Sequence, residues 1–147
     1  MTPRLDAYTA SPKAMRAMLA LQEYVNQCGL EQSLLELVKI RASQLNHCAF
    51  CLHMHTTDAR KLGESELRLY MLDAWRESSL YTPRERAALA WTEALTLLPS
   101  SQAPDEDYAA LAEHFTPAEQ VDLTLAINVI NAWNRFGVGF RRPHPVD

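Results

Sequence analysis

The sequence predicts an all-α protein, a single-domain bundle of six to seven helices. Two segments have the form of a capping box with proline at the first helical position: Thr82-Pro83-Arg84-Glu85 and Thr116-Pro117-Ala118-Glu119. Apolar residues recur at helical spacing after such starts, and no stretch alternates apolar and polar residues as a half-buried strand does. These observations favour helices along the whole chain.

Each predicted helix has a start or stop signal of its own, because Ser, Thr and Asn suit N-caps, proline suits the first turn and glycine suits the end. In chain order, the predicted helices are Ser11 to Gly29; one that starts at the capping-box pattern Ser33 to Glu36; Asn46, as its cap, to Gly63; Ser65 to about Trp75; Thr82 to about Leu98; Pro104 to His114; and Thr116 to about Phe136, stopped by Gly137. The segment from Pro99 to Pro104 is the one predicted loop of any length.

The composition restricts the class of protein. The chain has 147 residues, which suits one core, and we expect residues 1–147 to form one domain. A net charge of −4 argues against nucleic acid or an anionic membrane as the partner. No apolar run approaches the roughly 20 residues of a membrane span, and Met1 to Ala10 lacks the apolar core of a signal peptide. We therefore expect a cytoplasmic protein, whose three cysteines are not a disulfide framework.

Residues 46 to 55, NHCAFCLHMH, combine two cysteines with a histidine. Cys48, Cys51 and His55 are three and four residues apart, so they lie on one face of a helix. If Asn46 caps that helix, Cys48 lies in its first turn, where free backbone N–H groups and the helix dipole favour a thiolate. His55 lies one turn after Cys51 and can accept its proton. Two thiols, a base and a helix start are what thiol–disulfide redox chemistry needs.

Two other interpretations of the same residues remain open. The cysteines and the histidine could be three ligands of a zinc site, although no second CxxC or HxxxH pair completes the usual pattern. A fourth ligand would have to come from one of three residues: Cys28, Glu36 or His53. Alternatively, the cysteines could be small buried hydrophobic residues, although a histidine in register is then not expected.

The late segment NVINAWNRF is unusually polar for a helix that otherwise looks buried. Its polar side chains could form a network, and we assign no chemistry to them: Asn128, Asn131, Asn134 and Arg135.

The arrangement from Glu36 to His55 resembles a family motif. Glu36, eleven further residues and then Cys48-Ala49-Phe50-Cys51-Leu52-His53-Met54-His55 resemble the E-x11-C-x2-C-x3-H motif of the carboxymuconolactone decarboxylase-like superfamily, in its alkylhydroperoxidase (AhpD) branch. The segments ERAALAWTEALT, Glu85 to Thr96, and INAWNRF, Ile130 to Phe136, resemble later helices of the family. The resemblance covers about residues 30–142.

This resemblance implies an AhpD-like helical fold and a peroxidase cycle. It implies that Cys51 attacks the hydroperoxide, that Cys48 resolves the product, and that Glu36 and His55 move protons. The helix dipole alone would favour Cys48 as the nucleophile, but we expect a neighbouring base to outweigh a dipole effect that fades within one turn. Phe50 replaces a histidine of the best-known branch, which removes one member of the relay.

The resemblance also implies the partners of the protein. They are an alkyl hydroperoxide or hydrogen peroxide, an external dithiol reductant such as a thioredoxin-like or lipoyl protein, and further copies of the chain in a trimer or hexamer. No cofactor, metal, nucleic acid or membrane is expected. The alternatives are a thiol–disulfide oxidoreductase or redox sensor without a peroxide role, a zinc-stabilised structural domain, and a lactone enzyme of the decarboxylase type, which typically lacks the cysteine pair.

Overall fold

The computed structural model describes residues 1–146, which form nine α-helices and one 3₁₀ turn and contain no strand. The helices are α1 (Ala7–Ala10), α2 (Pro12–Gln27), α3 (Gln32–Leu45), α4 (Ala49–Lys61), α5 (Glu66–Tyr70), α6 (Pro83–Thr96), α7 (Leu98–Ser101), α8 (Asp105–His114) and α9 (Pro117–Gly139). The predicted all-α class is confirmed. None of these helices combines the length and the apolar character that a membrane span requires.

The seven longer helices match the predicted segments, and the two additional helices are single turns. One of these, α7, lies where the sequence predicts a loop, so the loop prediction from Pro99 to Pro104 is wrong at its start. The first turn of a helix leaves its N–H groups without a partner in the helix, so a proline there loses no hydrogen bond. Pro99 therefore fits into α7. The predicted helix from Ser65 to Trp75 is also interrupted: α5 ends at Tyr70, and a 3₁₀ turn follows at Leu72–Ala74.

Two of the three predicted capping boxes are confirmed. At the start of α6 the Thr82 hydroxyl accepts from the Glu85 N–H at 3.2 Å, and the Glu85 carboxylate accepts from the Thr82 N–H at 2.8 Å. Thr116 and Glu119 make the same pair of hydrogen bonds at the start of α9. Each box satisfies two of the donors that a helix start leaves free, and the signal for each start lies within four neighbouring residues.

The third predicted capping box, from Ser33 to Glu36, is wrong. The helix α3 begins at Gln32, its N-cap residue is Glu31, and no side chain caps it. The Glu36 carboxylate instead faces the interior, where it meets Lys39 and His55. A buried carboxylate is stable only with charged or hydrogen-bonding partners, and those partners lie inside the bundle.

The core of the bundle surrounds α3. Ten consecutive residues of this helix, from Leu34 to Ser43, are buried, because α3 packs against α4, α6 and α9. Fully buried leucines such as Leu35 and Leu37 each contribute about 1.5–3 kcal/mol. Because the helix is enclosed, its charged residues are buried as well and need partners within the protein.

Candidate redox-active site

The two cysteines lie at the start of α4 and are joined by a disulfide, with their Cα atoms 5.3 Å apart. Cys48 is the N-cap residue, and its sulfur accepts a hydrogen bond from the Cys51 N–H at 3.3 Å. Both cysteines are buried, with 1% and 2% of their surface exposed. The helix start therefore directs a free backbone donor at the sulfur of Cys48, although Cys48 is the N-cap residue and does not lie in the first turn, where the sequence predicts it.

The prediction that Asn46 caps this helix is wrong. Asn46 follows the last residue of α3, and its side-chain amide donates to Asn131 and Asn134 of α9, each at 2.9 Å. Its side chain turns towards α9 because it pairs there with two buried acceptors, which would otherwise lack a partner. After it, His47 takes the left-handed conformation, with φ of 55°, and leads the chain into α4.

The predicted polar network in α9 is present for two of its members. Asn134 donates to the Ser43 hydroxyl, which donates in turn to the Lys39 carbonyl, and Asn131 donates to the Thr96 hydroxyl. The network ties α9 to the end of α3 and to the turn that precedes Cys48. Buried, fully satisfied networks of this kind hold a local geometry firmly. Arg135 only bonds a backbone carbonyl of its own helix, and Asn128 is exposed.

Glu36 and His55 are brought together, although 19 residues separate them in the chain. The Oε2 atom of Glu36 lies 3.0 Å from Nδ1 of His55, and its Oε1 atom accepts from the Lys39 ammonium at 2.9 Å. All three residues are buried, each with 6% of its surface exposed. Because an ionised carboxylate can only accept a hydrogen bond, the Nδ1 atom of His55 carries the proton between them. The Nε2 atom of a neutral His55 is then free to act as a base.

The charge of Glu36 is maintained by its neighbours. Burial alone would raise the pKa of this carboxyl, but the hydrogen bond with His55 and the positive charge of Lys39 outweigh burial and hold the pKa below its ordinary value. Glu36 is therefore ionised at neutral pH and orients the imidazole. In this oxidised state no hydrogen bond joins His55 to either sulfur within the part of the chain described.

Gly137 lies directly against the disulfide. A Cβ atom at this position would stand 2.7 Å from the Cys48 sulfur and 3.4 Å from the Cys51 sulfur. The prediction that Gly137 ends the last helix is wrong, since α9 continues to Gly139. The glycine is needed because the helix backbone approaches the sulfurs more closely than a side chain would allow.

Sequence reasoning missed Lys39 and Gly137. A lysine in the apolar run LLELVKI, three residues after a glutamate, was the available signal for a buried ion pair. For Gly137 no local signal exists, because the need for a glycine comes from the cysteine sulfurs at the start of α4.

The remaining candidate residues lie elsewhere. Cys28 is the free cysteine, at the end of α2, and it packs against the hydrophobic core. His53 is half-buried and stacks on His144.

The cysteines do not belong to the cluster of potential metal ligands that the structure brings together, which argues against a zinc site built on them. Within residues 1–146, three potential ligands have their ligand atoms within 4.8 Å of one another: Glu36, His55 and Asp58. Neither cysteine belongs to this group. The ammonium of Lys39 already occupies an oxygen of Glu36, so a cation bound there would meet a like charge.

Residues 12–94 match the model of the carboxymuconolactone decarboxylase family, which covers more than half of the chain. The protein YdfG of Bacillus subtilis (strain 168) is 46% identical over 138 residues, which are 94% of each chain. The chain belongs to the carboxymuconolactone decarboxylase family. The predicted family is thereby confirmed.

Solved structures relate the chain to the AhpD branch of the family. ATU0492 of Agrobacterium tumefaciens, a protein of unknown function and a candidate antioxidant defence protein AhpD, is 44% identical with a TM-score of 0.97. The match covers 99% of this chain and all of that one. The debrominase Bmp8 has a TM-score of 0.85 over 94% of this chain and 74% of its own, but at 17% identity this likeness shows the fold alone.

Replacing Gly137 by alanine should destabilise the oxidised protein, because the new methyl group would overlap the Cys48 sulfur. Overpacking of this kind costs about 1–3 kcal/mol, more than the gain of up to about 1 kcal/mol that alanine brings to a helix. Chemical denaturation of the oxidised protein, without reductant, measures the difference.

Gly139→Ala is the matched control, since it lies on the same helix and a Cβ there would meet nothing within 4 Å. We expect this variant to be as stable as wild type or slightly more stable. Equal unfolding free energies for Gly137→Ala and Gly139→Ala would contradict the close approach of α9 to the sulfurs.

Proposed function

We propose that the protein is a thiol-dependent peroxidase that reduces alkyl hydroperoxides or hydrogen peroxide. The observation that carries the proposal is the buried contact of Glu36, on α3, with His55. His55 lies on α4, the helix that starts at the cysteine pair. A structural disulfide needs no ionised carboxylate and no histidine base beside it, whereas thiol chemistry needs both a base and a proton donor. Membership of the family and the likeness to an AhpD candidate support the same activity.

In the proposed cycle the Cys51 thiolate attacks the outer oxygen of the hydroperoxide. The O–O bond breaks, the alcohol or water leaves with a proton, and Cys51 becomes a sulfenic acid. Cys48 then attacks the Cys51 sulfur, water leaves, and the disulfide forms. An external dithiol, such as a thioredoxin-like or lipoyl protein, then reduces this disulfide by thiol–disulfide exchange, becomes a disulfide itself and restores the two thiols.

His55 and Glu36 have separate tasks in this cycle. His55 accepts the Cys51 proton at Nε2 and returns it to the leaving oxygen, directly or through water. Glu36 holds the imidazole by Nδ1 and stabilises the imidazolium that forms, and Lys39 keeps Glu36 ionised. Phe50 stands where the best-known branch has a further histidine, so proton transfer here depends on this one relay.

A thiol–disulfide oxidoreductase without a peroxide role is the second candidate. It is favoured by the hydrogen bond from the Cys51 N–H to the Cys48 sulfur, which would stabilise a thiolate on Cys48 rather than on Cys51. The two candidates therefore differ in which cysteine is the nucleophile and in whether peroxide reacts.

Single cysteine variants separate these roles. Cys51→Ser should not react with hydrogen peroxide, because the nucleophile is absent. Cys48→Ser should react once and stop at a sulfenic acid, which mass spectrometry detects as a dimedone adduct. The opposite pattern would identify Cys48 as the nucleophile, and two unreactive variants together with an unreactive wild type would exclude the peroxidase.

Replacing Glu36 by glutamine tests the relay. Glutamine cannot stabilise the imidazolium, and we expect peroxide turnover to fall by a factor on the order of 10²–10⁴. Steady-state turnover is measured with an excess of a synthetic dithiol, at a temperature where every variant is folded.

The matched control is Glu93→Gln, which changes another ion-paired carboxylate of the bundle, one bonded to Arg41, Trp75 and Arg76. Both variants should lose stability, because each leaves a buried cation with a weaker partner. Only Glu36→Gln should lose turnover. Similar turnover in the two variants would remove Glu36 from the chemistry.

A further inference from the structure

A cavity of about 750 Å³ lies beside the cysteine pair. Its walls come from both ends of the chain, residues 3–8 and 142–145, and from the last turns of α9. The two ends are fastened together, since the Arg4 N–H donates to the Phe140 carbonyl at 2.9 Å and the Arg4 side chain donates to the Gly139 carbonyl at 3.1 Å. The volume of the cavity lies within the range of pockets that hold small organic ligands.

The cavity adjoins the disulfide through two residues. Phe50, which lies between the two cysteines in the chain, forms part of its wall, and so does Gly137. At Gly137 no side chain separates the α9 backbone from the sulfurs. The cysteines themselves are buried, and the cavity is lined by these two neighbours of theirs.

The lining of the cavity is mostly apolar and aromatic. Besides Phe50 it contains Trp133, Phe136, Phe140 and Met15. Hydrogen peroxide needs no surface of this kind, whereas an organic chain or ring is stabilised by burying its apolar surface there.

The charged groups of the cavity are mainly positive, although the whole chain carries a net charge of −4. Arg4 and Arg142 line it, together with one carboxylate, Asp6, which already accepts from the N–H groups of Tyr8 and Thr9. The Arg142 guanidinium lies 3.9 Å from the centre of the Phe50 ring, and no carboxylate among residues 1–146 forms a salt bridge with it. An anionic group of a ligand would find a bidentate donor there, above the ring of Phe50, the residue that precedes Cys51.

We propose that this cavity binds the organic part of an apolar hydroperoxide that also bears a carboxylate, and that Arg142 holds the carboxylate. The proposal rests on the proposed peroxidase function and specifies its substrate class. The reaction consumes one hydroperoxide and two thiols and releases the corresponding hydroxy acid, water and the disulfide.

Binding of the product tests the site without turnover. The probes are the hydroxy acid obtained by reducing linoleic acid hydroperoxide, and its methyl ester, titrated into the oxidised protein by calorimetry. We expect the acid to bind roughly tenfold more tightly than the ester, about 1.4 kcal/mol, because only the acid makes a charge-assisted hydrogen bond with the guanidinium. Arg142→Gln should abolish this preference.

The control is Arg141→Gln, which makes the same change of charge at the neighbouring residue, outside the cavity lining. It should keep the preference of wild type. Equal binding of acid and ester to wild type, no binding of either, or an equal effect of the two variants would each overturn the proposal.

Turnover of hydrogen peroxide distinguishes failure of the site from failure of the function. A protein that reduces hydrogen peroxide but binds neither probe has the proposed function without this substrate class. A protein that binds the acid selectively but reduces neither hydrogen peroxide nor linoleic acid hydroperoxide overturns the assignment of the ligand as a substrate. Selective binding together with faster reduction of the acid hydroperoxide than of its methyl ester supports it.

Discussion

The buried carboxylate of Glu36 is the constraint around which the site is arranged. An ionised carboxylate inside a bundle is unstable unless charged or hydrogen-bonding groups surround it, and here Lys39 supplies the charge and His55 the hydrogen bond. The lysine comes from the same helix, but the histidine comes from α4. The pairing of Glu36 with His55 therefore joins α4 to α3 beside the apolar contacts of the two helices, and it fixes which imidazole nitrogen remains free for chemistry.

A second constraint comes from α9. Its asparagines hold the turn between α3 and α4 by hydrogen bonds, and its backbone reaches the sulfurs at Gly137. The disulfide thus meets the backbone of α9 at a point where that helix carries no side chain. Gly137 and Phe50 also line the cavity formed by the two ends of the chain.

The parts of this structure that depend on neighbouring residues could be predicted from the sequence. The capping boxes at Thr82 and Thr116 involve four consecutive residues each, and the position of Cys51 and His55 one turn apart on α4 follows from spacing alone. The predictions failed where a distant partner decides the outcome. Asn46 caps no helix because its side chain bonds to α9 instead, and Gly137 is a glycine because of its contact with the sulfurs and not because the helix ends there. Lys39 went unnoticed for the same reason, since its importance depends on a carboxylate that is buried only in the folded bundle.

The claim that Cys48 and Cys51 are a peroxide-reactive pair is tested most directly by counting thiols. The reduced protein contains three cysteines, and Cys28 lies at the end of α2, away from the pair. After one equivalent of hydrogen peroxide we expect two thiols per chain to be lost, with peptide mapping showing a bond between Cys48 and Cys51 and Cys28 still reduced. Three thiols remaining, or a disulfide that includes Cys28, would contradict the account.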